Sequence, residues 1–229
     1  MGKENKLSLS QQLNVLRAGV LGANDGIVSV AGVVIGVAAA HGSHSAILIA
    51  GLAAILAGAF SMAGGEYVSV STQADTEKAA IKTQKEALEN DFENERRAVV
   101  NYYLEKGIIK ETAEEIANEL MESSPLKTTI EIKYNLEEGE YTNPWHAAIS
   151  SFIAFAIGSL LPFITMAFIP ANYRIIGTII AVTITLFLTG YISAYLGSAR
   201  KGPAILRNVL VGFLTMGVTY GIGLLLHVN

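Results

Sequence analysis

The chain contains no cysteine, and few of its residues are charged. Without cysteine, disulfide bonds, thiolate metal sites and thiol catalysis are all excluded. Only 16% of the 229 residues are Asp, Glu, Lys or Arg, whereas ordinary soluble domains hold about 25%. Because 51% of the residues are hydrophobic and the mean hydropathy is +0.42, we expect lipid to be the main solvent of this chain.

The common motifs of soluble enzymes are also missing. The sequence has no P-loop, no GxSxG, no HExxH and no glycine-rich dinucleotide fingerprint. It also lacks a recognisable pair of nucleophile and base. We therefore expect neither an enzyme nor a bound cofactor.

The charges that are present are unevenly distributed. Residues 75–142 hold 17 of the 20 acidic and nine of the 16 basic residues, a net charge of −8, whereas the rest of the chain sums to +4. This pattern indicates an acidic, water-soluble part and an apolar, slightly basic part. Neither part offers a basic patch of the kind that binds nucleic acid.

Five apolar stretches are long enough to cross a bilayer as helices, which requires about 20 residues each. The sequence therefore predicts an all-α membrane protein with five transmembrane helices and a cytoplasmic three-helix insert between the second and the third. The predicted spans are residues 15–40, 45–70, 146–169, 173–196 and 204–226.

Three parts follow from this pattern: residues 1–74 with two spans, residues 75–143 as the acidic insert, and residues 144–229 with three spans. In the insert, residues 75–106 are predicted to form one helix with an apolar face, which Gly107 ends. A second helix follows, with Thr112 and Glu115 spaced as a capping box, and a third covers about residues 126–136.

Basic residues near the ends of the spans predict the orientation, because cytoplasmic loops carry an excess of Lys and Arg. We therefore expect the N-terminus and the insert to lie in the cytoplasm. The short loops suggest the plasma membrane of a prokaryote, and the polar start of the chain suggests that no cleavable signal peptide is present. The residues that carry the orientation are Lys3, Lys6, Arg17, Arg200, Lys201 and Arg207.

Asp25 is an ionisable residue about ten positions into the first span, beside Asn24. A carboxylate at mid-membrane costs about 2.5–3.5 kcal/mol on insertion scales and usually marks the path of an ion or a proton. The structural alternative is that Asp25 caps a broken helix between Gly22 and Gly26. Both interpretations are compatible, because unwound segments often form transport sites.

Met62 and Glu66 of the second span are four residues apart and therefore share one helix face. Carboxylates combined with a thioether favour a transition metal over Mg²⁺ or Ca²⁺, which prefer oxygen ligands. Alternatively, Met62 is a packing residue and Glu66 extends to water at the membrane surface. With Asp25 and Asn24, these two residues form our candidate transport path.

Glycines are frequent in the first two spans, and two GxxxG spacings begin at Gly22 and Gly32. Such spacing permits close helix contact, so we expect the first two spans to pack tightly, with a dimer axis as one place for that contact.

The insert presents two rows of carboxylates, each on one predicted helix face. Two such faces are candidates for binding divalent cations, although a solvated helix face is the simpler interpretation of any single residue. The rows are Glu86, Glu89 and Glu93 in the first helix, and Glu115, Glu119 and Glu122 in the second.

Two stretches of the spans resemble the vacuolar iron transporter family: residues 21–29, LGANDGIVS, and residues 59–70, AFSMAGGEYVSV, followed by Asp75-Thr-Glu77. The five-span layout with an insert after the second span agrees with that family over almost the whole chain. The resemblance implies a dimeric exporter that moves Fe²⁺, and often Mn²⁺, out of the cytoplasm in exchange for protons. It also implies that Asp25 and Met62 line the path and that the insert binds metal.

The insert departs from the family pattern. Gln84 and Ala87 stand where the family has an acidic pair, and a second acidic pair is matched by Glu95 alone. In the first span, Ala18 replaces an acidic residue found in many members. We therefore expect the membrane chemistry to be retained, and we count Glu95 with the two rows of carboxylates as candidate ligands.

The leading hypothesis is thus a proton-coupled exporter of Fe²⁺ or Mn²⁺, embedded in lipid as a homodimer, with the metal as substrate rather than cofactor. The alternative is a membrane scaffold whose helical insert docks a cytoplasmic partner without transport.

Overall fold

The computed structural model describes residues 9–136 and 143–226, and all regular secondary structure in these ranges is helical. The predicted orientation signals Lys3 and Lys6 lie outside the described residues. The predicted boundary between the insert and the third span, at residue 143, lies directly beside an undescribed stretch. The eight helices are α1 (Leu9–Ala39), α2 (His44–Asn90), α3 (Phe92–Glu105), α4 (Lys110–Ser123), α5 (Pro125–Tyr134), α6 (Pro144–Phe168), α7 (Arg174–Leu196) and α8 (Lys201–Leu225).

Five of these helices, α1, α2, α6, α7 and α8, are long and apolar enough to cross a membrane. The prediction of an all-α protein with five spans is confirmed. The chain forms two compact units, Met1–Val68 with Asn143–Asn229, and Ser69–Thr142. We call these the membrane unit and the insert.

The membrane unit is held together by one apolar cluster to which all five long helices contribute. Because lipid is itself apolar, large side chains on the outer faces also remain exposed to it. In α7, for example, Ile180 and Ile184 are each 56% exposed. The buried cluster includes Ile27 of α1, Ile55 of α2, Phe155 of α6, Leu186 of α7 and Met216 of α8.

The backbones of α1 and α6 lie in direct contact through glycines. A Cβ atom added to Gly26 would lie 2.3 Å from the carbonyl oxygen of Phe155, and one added to Gly158 would lie 2.4 Å from that of Ala23. On the other GxxxG spacing, Gly32 and Gly36 approach Thr219 of α8. The glycines of α1 thus serve contacts with α6 and α8. The expected contact between the first two spans involves Gly51 of α2, where an added Cβ atom would lie 2.9 Å from the Cγ1 of Val34 in α1.

The insert differs from its predicted form at two helix ends. Residues 75–106 do not form one helix: α2 ends at Asn90, and α3 begins after Asp91, whose side chain accepts a hydrogen bond from the backbone N–H of Asn94 at 3.0 Å. The prediction of a capping box that begins at Thr112 is also wrong, because α4 already begins at Lys110. Gly107 ends α3 as predicted, with a positive φ of 87°.

A buried polar group joins three helices of the insert. Glu95 of α3, only 5% exposed, accepts hydrogen bonds from the Nε2 of Gln84 in α2 and from the Nζ of Lys133 in α5. Val99 and Met121 belong to the apolar cluster of the insert. The Lys133 ammonium therefore compensates a carboxylate that water does not reach.

The α1–α6 contact leads to a stability prediction. Gly158→Ala places a methyl group against the Ala23 carbonyl, so we expect a loss of about 1–3 kcal/mol, measured as a lower melting temperature of the protein in detergent. Gly217→Ala in α8 is the control, because a Cβ atom there meets nothing within 4 Å. Equal melting temperatures for the two variants would contradict the close packing.

The buried ion pair leads to a second prediction. Lys133→Met leaves the Glu95 carboxylate buried without a counter-ion, and we expect α3 and α5 to lose about 3 kcal/mol of local stability, measured by amide hydrogen exchange of the full chain. Lys82→Met is the matched control, because Lys82 forms an exposed pair with Glu86 at 3.9 Å and such pairs contribute less than about 1 kcal/mol. Similar exchange in both variants would show that the buried pair is dispensable.

Candidate functional site

Asp25 lies inside a continuous helix, since α1 runs from Leu9 to Ala39 without a break. The interpretation that it caps a broken helix is therefore wrong. The backbone carbonyl of Asp25 accepts a hydrogen bond from the Ser29 hydroxyl at 2.6 Å. The side chain is partly buried, and among the described residues its carboxylate has no hydrogen-bond or ion-pair partner. A ligand that reached this carboxylate would have no internal competitor to displace.

Two further polar oxygens of the membrane unit lack partners within the described residues. These are the Oδ1 of Asn24 in α1 and the Oγ of Ser151 in α6, and Ser151 faces Gly22 of α1. Leaving a buried acceptor unpaired costs about 1–3 kcal/mol. By contrast, the hydroxyls of Ser150 and Ser159 in α6 donate hydrogen bonds to the carbonyl oxygens of Val15 in α1 at 3.0 Å and of Phe155 at 2.8 Å. The unpaired oxygens of Asn24 and Ser151 are therefore available for a ligand or for water.

Met62 of α2 is partly buried and packs against the apolar cluster of the membrane unit. The packing role considered for this residue is therefore real. It does not exclude a second role, because a thioether is polarizable and remains a soft ligand while it packs.

Glu66, one helical turn beyond Met62, is 6% exposed. The suggestion that it extends to water is therefore wrong. Its Oε2 accepts a hydrogen bond at 2.9 Å from the Nη2 of Arg17 in α1, which also donates to the Oδ1 of Asn14 at 3.0 Å. Sequence reasoning treated Arg17 only as an orientation signal and missed this pair. The available signal was that an acidic residue in one span requires a counter-ion in a neighbouring span.

A cleft of about 400 Å³ opens between α1, α7 and α8, and two of these groups, Arg17 and Asn24, line it. Its wall is partly polar, which is unusual for a surface that faces lipid. The polar residues that line it are Arg17, Asn24, Ser193 and Asn208.

The candidate ligands of the insert are not assembled into one site. Within residues 9–136 and 143–226, no group of three or more His, Asp or Glu side chains is placed to hold a metal ion. Glu95 is engaged by Lys133, and Glu93 pairs with Arg96 at 3.1 Å. The remaining candidates are exposed to solvent: Glu86, Glu89, Glu115, Glu119 and Glu122.

Known proteins with similar sequences match almost the whole chain. A profile of the VIT family matches residues 16–224. The chain is 38% identical over 211 residues to a vacuolar iron transporter of Acanthamoeba castellanii, covering 92% of this chain and 78% of that protein. It is 35% identical to vacuolar iron transporter homolog 1 of Oryza sativa subsp. japonica, covering 90% of this chain and 72% of that protein.

A third relative, vacuolar iron transporter homolog 3 of Arabidopsis thaliana, is 33% identical over 220 residues, which cover 96% of this chain and 86% of that protein. These matches extend over the five long helices and the insert alike. The chain therefore belongs to the VIT family, a family of transporters and not of enzymes.

Proposed function

We propose that this protein exports Fe²⁺ or Mn²⁺ from the cytoplasm in exchange for protons, with Asp25 as the central ligand. The observation that carries the proposal is the Asp25 carboxylate, partly buried in an apolar helix and without a partner among the described residues. A passive membrane helix has no use for such a group, because it destabilises insertion. The family relatives named as vacuolar iron transporters support a metal ion as the cargo.

The ligands on the proposed path favour a transition metal. The Asp25 carboxylate and the Asn24 carboxamide supply hard oxygen donors, and Met62 supplies a soft sulfur donor that Mg²⁺ and Ca²⁺ bind poorly. Glu66 adds a second carboxylate on the α2 side. Protons compete with a metal for carboxylate oxygens, so protonation on the far side of the membrane releases the metal and resets the site.

The proposed orientation places the N-terminus and the insert in the cytoplasm, with the basic residues Arg17, Arg200, Lys201 and Arg207 at that surface. The proposed assembly is a homodimer. It is the assembly that the resemblance to the vacuolar iron transporter family implies. A prokaryotic plasma membrane stays a prediction.

Asp25→Asn tests the transport mechanism. The variant keeps the shape of the side chain but removes its charge and its proton, so we expect metal flux to fall to background in proteoliposomes with a pH gradient. The measurement is uptake of Fe²⁺ and, separately, of Mn²⁺, together with the proton flux.

The matched control is Asp75→Asn, because Asp75 belongs to the insert and its side chain is 78% exposed in a pair with Lys78. Normal flux in Asp25→Asn would overturn the mechanism. Absence of flux in the wild-type protein, with either metal, would favour the scaffold alternative.

The proposed role of the insert is to collect metal from the cytoplasm through its exposed carboxylates. Its net charge of −8 attracts cations and raises their concentration nearby. Because these carboxylates are scattered rather than grouped, they act mainly through their summed field.

Replacing the exposed Glu86, Glu89, Glu93, Glu115, Glu119 and Glu122 by Gln tests this role. We expect KM for the metal to rise at low salt with an unchanged maximal rate, and the difference to shrink at about 0.5 M salt, where the Debye length is only a few ångströms. An unchanged KM at low salt would show that the insert is a structural element. A KM difference that persists at high salt would instead indicate direct chelation.

A further inference from the structure

The Arg17–Glu66 pair combines a buried anion with an exposed cation. The Glu66 side chain is 7% exposed, whereas the Arg17 side chain is 55% exposed. A carboxylate as buried as that of Glu66 is strongly destabilised if its counter-ion is removed. In the absence of a metal ion, the guanidinium of Arg17 is therefore what keeps a charged Glu66 compatible with its surroundings.

Arg17 has an alternative position available to it. Its guanidinium borders the cleft between α1, α7 and α8, together with Asn24 and Asn208, and it already bonds to Asn14 of its own helix. Arginine is always charged and has a long side chain with several rotatable bonds. The guanidinium can thus leave Glu66 while it keeps its hydrogen bond to Asn14 and has polar neighbours in the cleft.

The position of the pair ties it to the proposed path. Glu66 lies one turn from Met62 in α2, and Arg17 lies two turns before Asp25 in α1. A metal ion that reaches Glu66 meets a carboxylate that is already occupied by a positive charge. Because the two cations repel each other at so short a distance, binding of the metal to this carboxylate weakens binding of the guanidinium, and the reverse.

We propose that Arg17 is a tethered competitor of the transported cation: it occupies Glu66 when no metal is bound, is displaced when metal arrives, and returns when the metal moves on. The inference rests on the proposed function and adds the means of release. An ion path must bind its cargo firmly enough to admit it and weakly enough to release it. Arg17 acts as a positioning residue that helps release the metal, because its guanidinium neutralises Glu66 again without a second metal ion.

The test is a comparison of Arg17→Gln and Arg17→Lys in proteoliposomes at one fixed pH. Without a competing cation, Glu66 holds the metal more tightly, so we expect Arg17→Gln to lower KM for Mn²⁺ about fivefold or more and to lower the maximal rate as release slows. Arg17→Lys retains a cation and is expected to restore most of the wild-type KM. Arg207→Gln is the matched control, because Arg207 is exposed on α8.

The double variant Arg17→Gln with Glu66→Gln separates competition from a structural role, and it also removes the risk that an unpaired carboxylate prevents folding. We expect Arg17→Gln to have no effect on KM when Glu66 is already Gln. Binding is measured independently as the Mn²⁺-dependent rise in melting temperature of each purified variant, which should be larger for Arg17→Gln than for the wild-type protein.

An unchanged or higher KM in Arg17→Gln, or the same change in the Glu66→Gln background, would overturn the inference. If that result accompanied loss of flux in Asp25→Asn, the proposed function would stand and only the role of Arg17 would fall. Absence of flux in the wild-type protein would instead overturn the function itself.

Discussion

Polar groups in a bilayer find no water, and each must be satisfied within the protein or pay a large free-energy cost. The membrane unit follows this constraint closely. Threonine hydroxyls bond to the carbonyl one turn earlier, as Thr178 does to Arg174 at 2.7 Å and Thr183 does to Ile179 at 2.7 Å, and Glu66 is paired with Arg17. Against this background, the Asp25 carboxylate and the oxygens of Asn24 and Ser151 stand out, because none of them has a partner within the described residues.

Close packing of α1 against α6 holds Asn24 and Asp25 in place. Helices in lipid gain little from the hydrophobic effect, so small residues that allow close contact carry much of the association. On α1, Gly22 and Gly26 lie against the backbone of α6 on either side of Asn24 and Asp25. The two polar residues are therefore fixed by contacts between backbones, which leave little freedom for α1 to rotate or slide.

The insert obeys a different balance because water surrounds it. Most of its charges are exposed and interact weakly, whereas Glu95 is buried and depends on Lys133. The family resemblance implies metal ligands in this region, but the Lys133 ammonium now supplies the positive charge at Glu95. The exposed carboxylates can still attract cations through their field, which is the role proposed for the insert.

The sequence alone determined the five spans, the last two helices of the insert and the end of α3 at Gly107, and it singled out Asp25, Met62 and Glu66 as candidates. These features depend on hydropathy, on local backbone preferences and on the cost of a charge in lipid, all of which are readable along the chain. The helix break at Asp91 was missed although Asn90 and Asp91 are weak helix formers and Asp is a preferred N-cap residue. Only the tertiary structure decided which groups meet: Arg17 with Glu66, Lys133 with Glu95, and the glycines of α1 with α6 and α8. Such contacts join residues at least 38 positions apart, and spacing within one helix carries no information about the face that another helix presents.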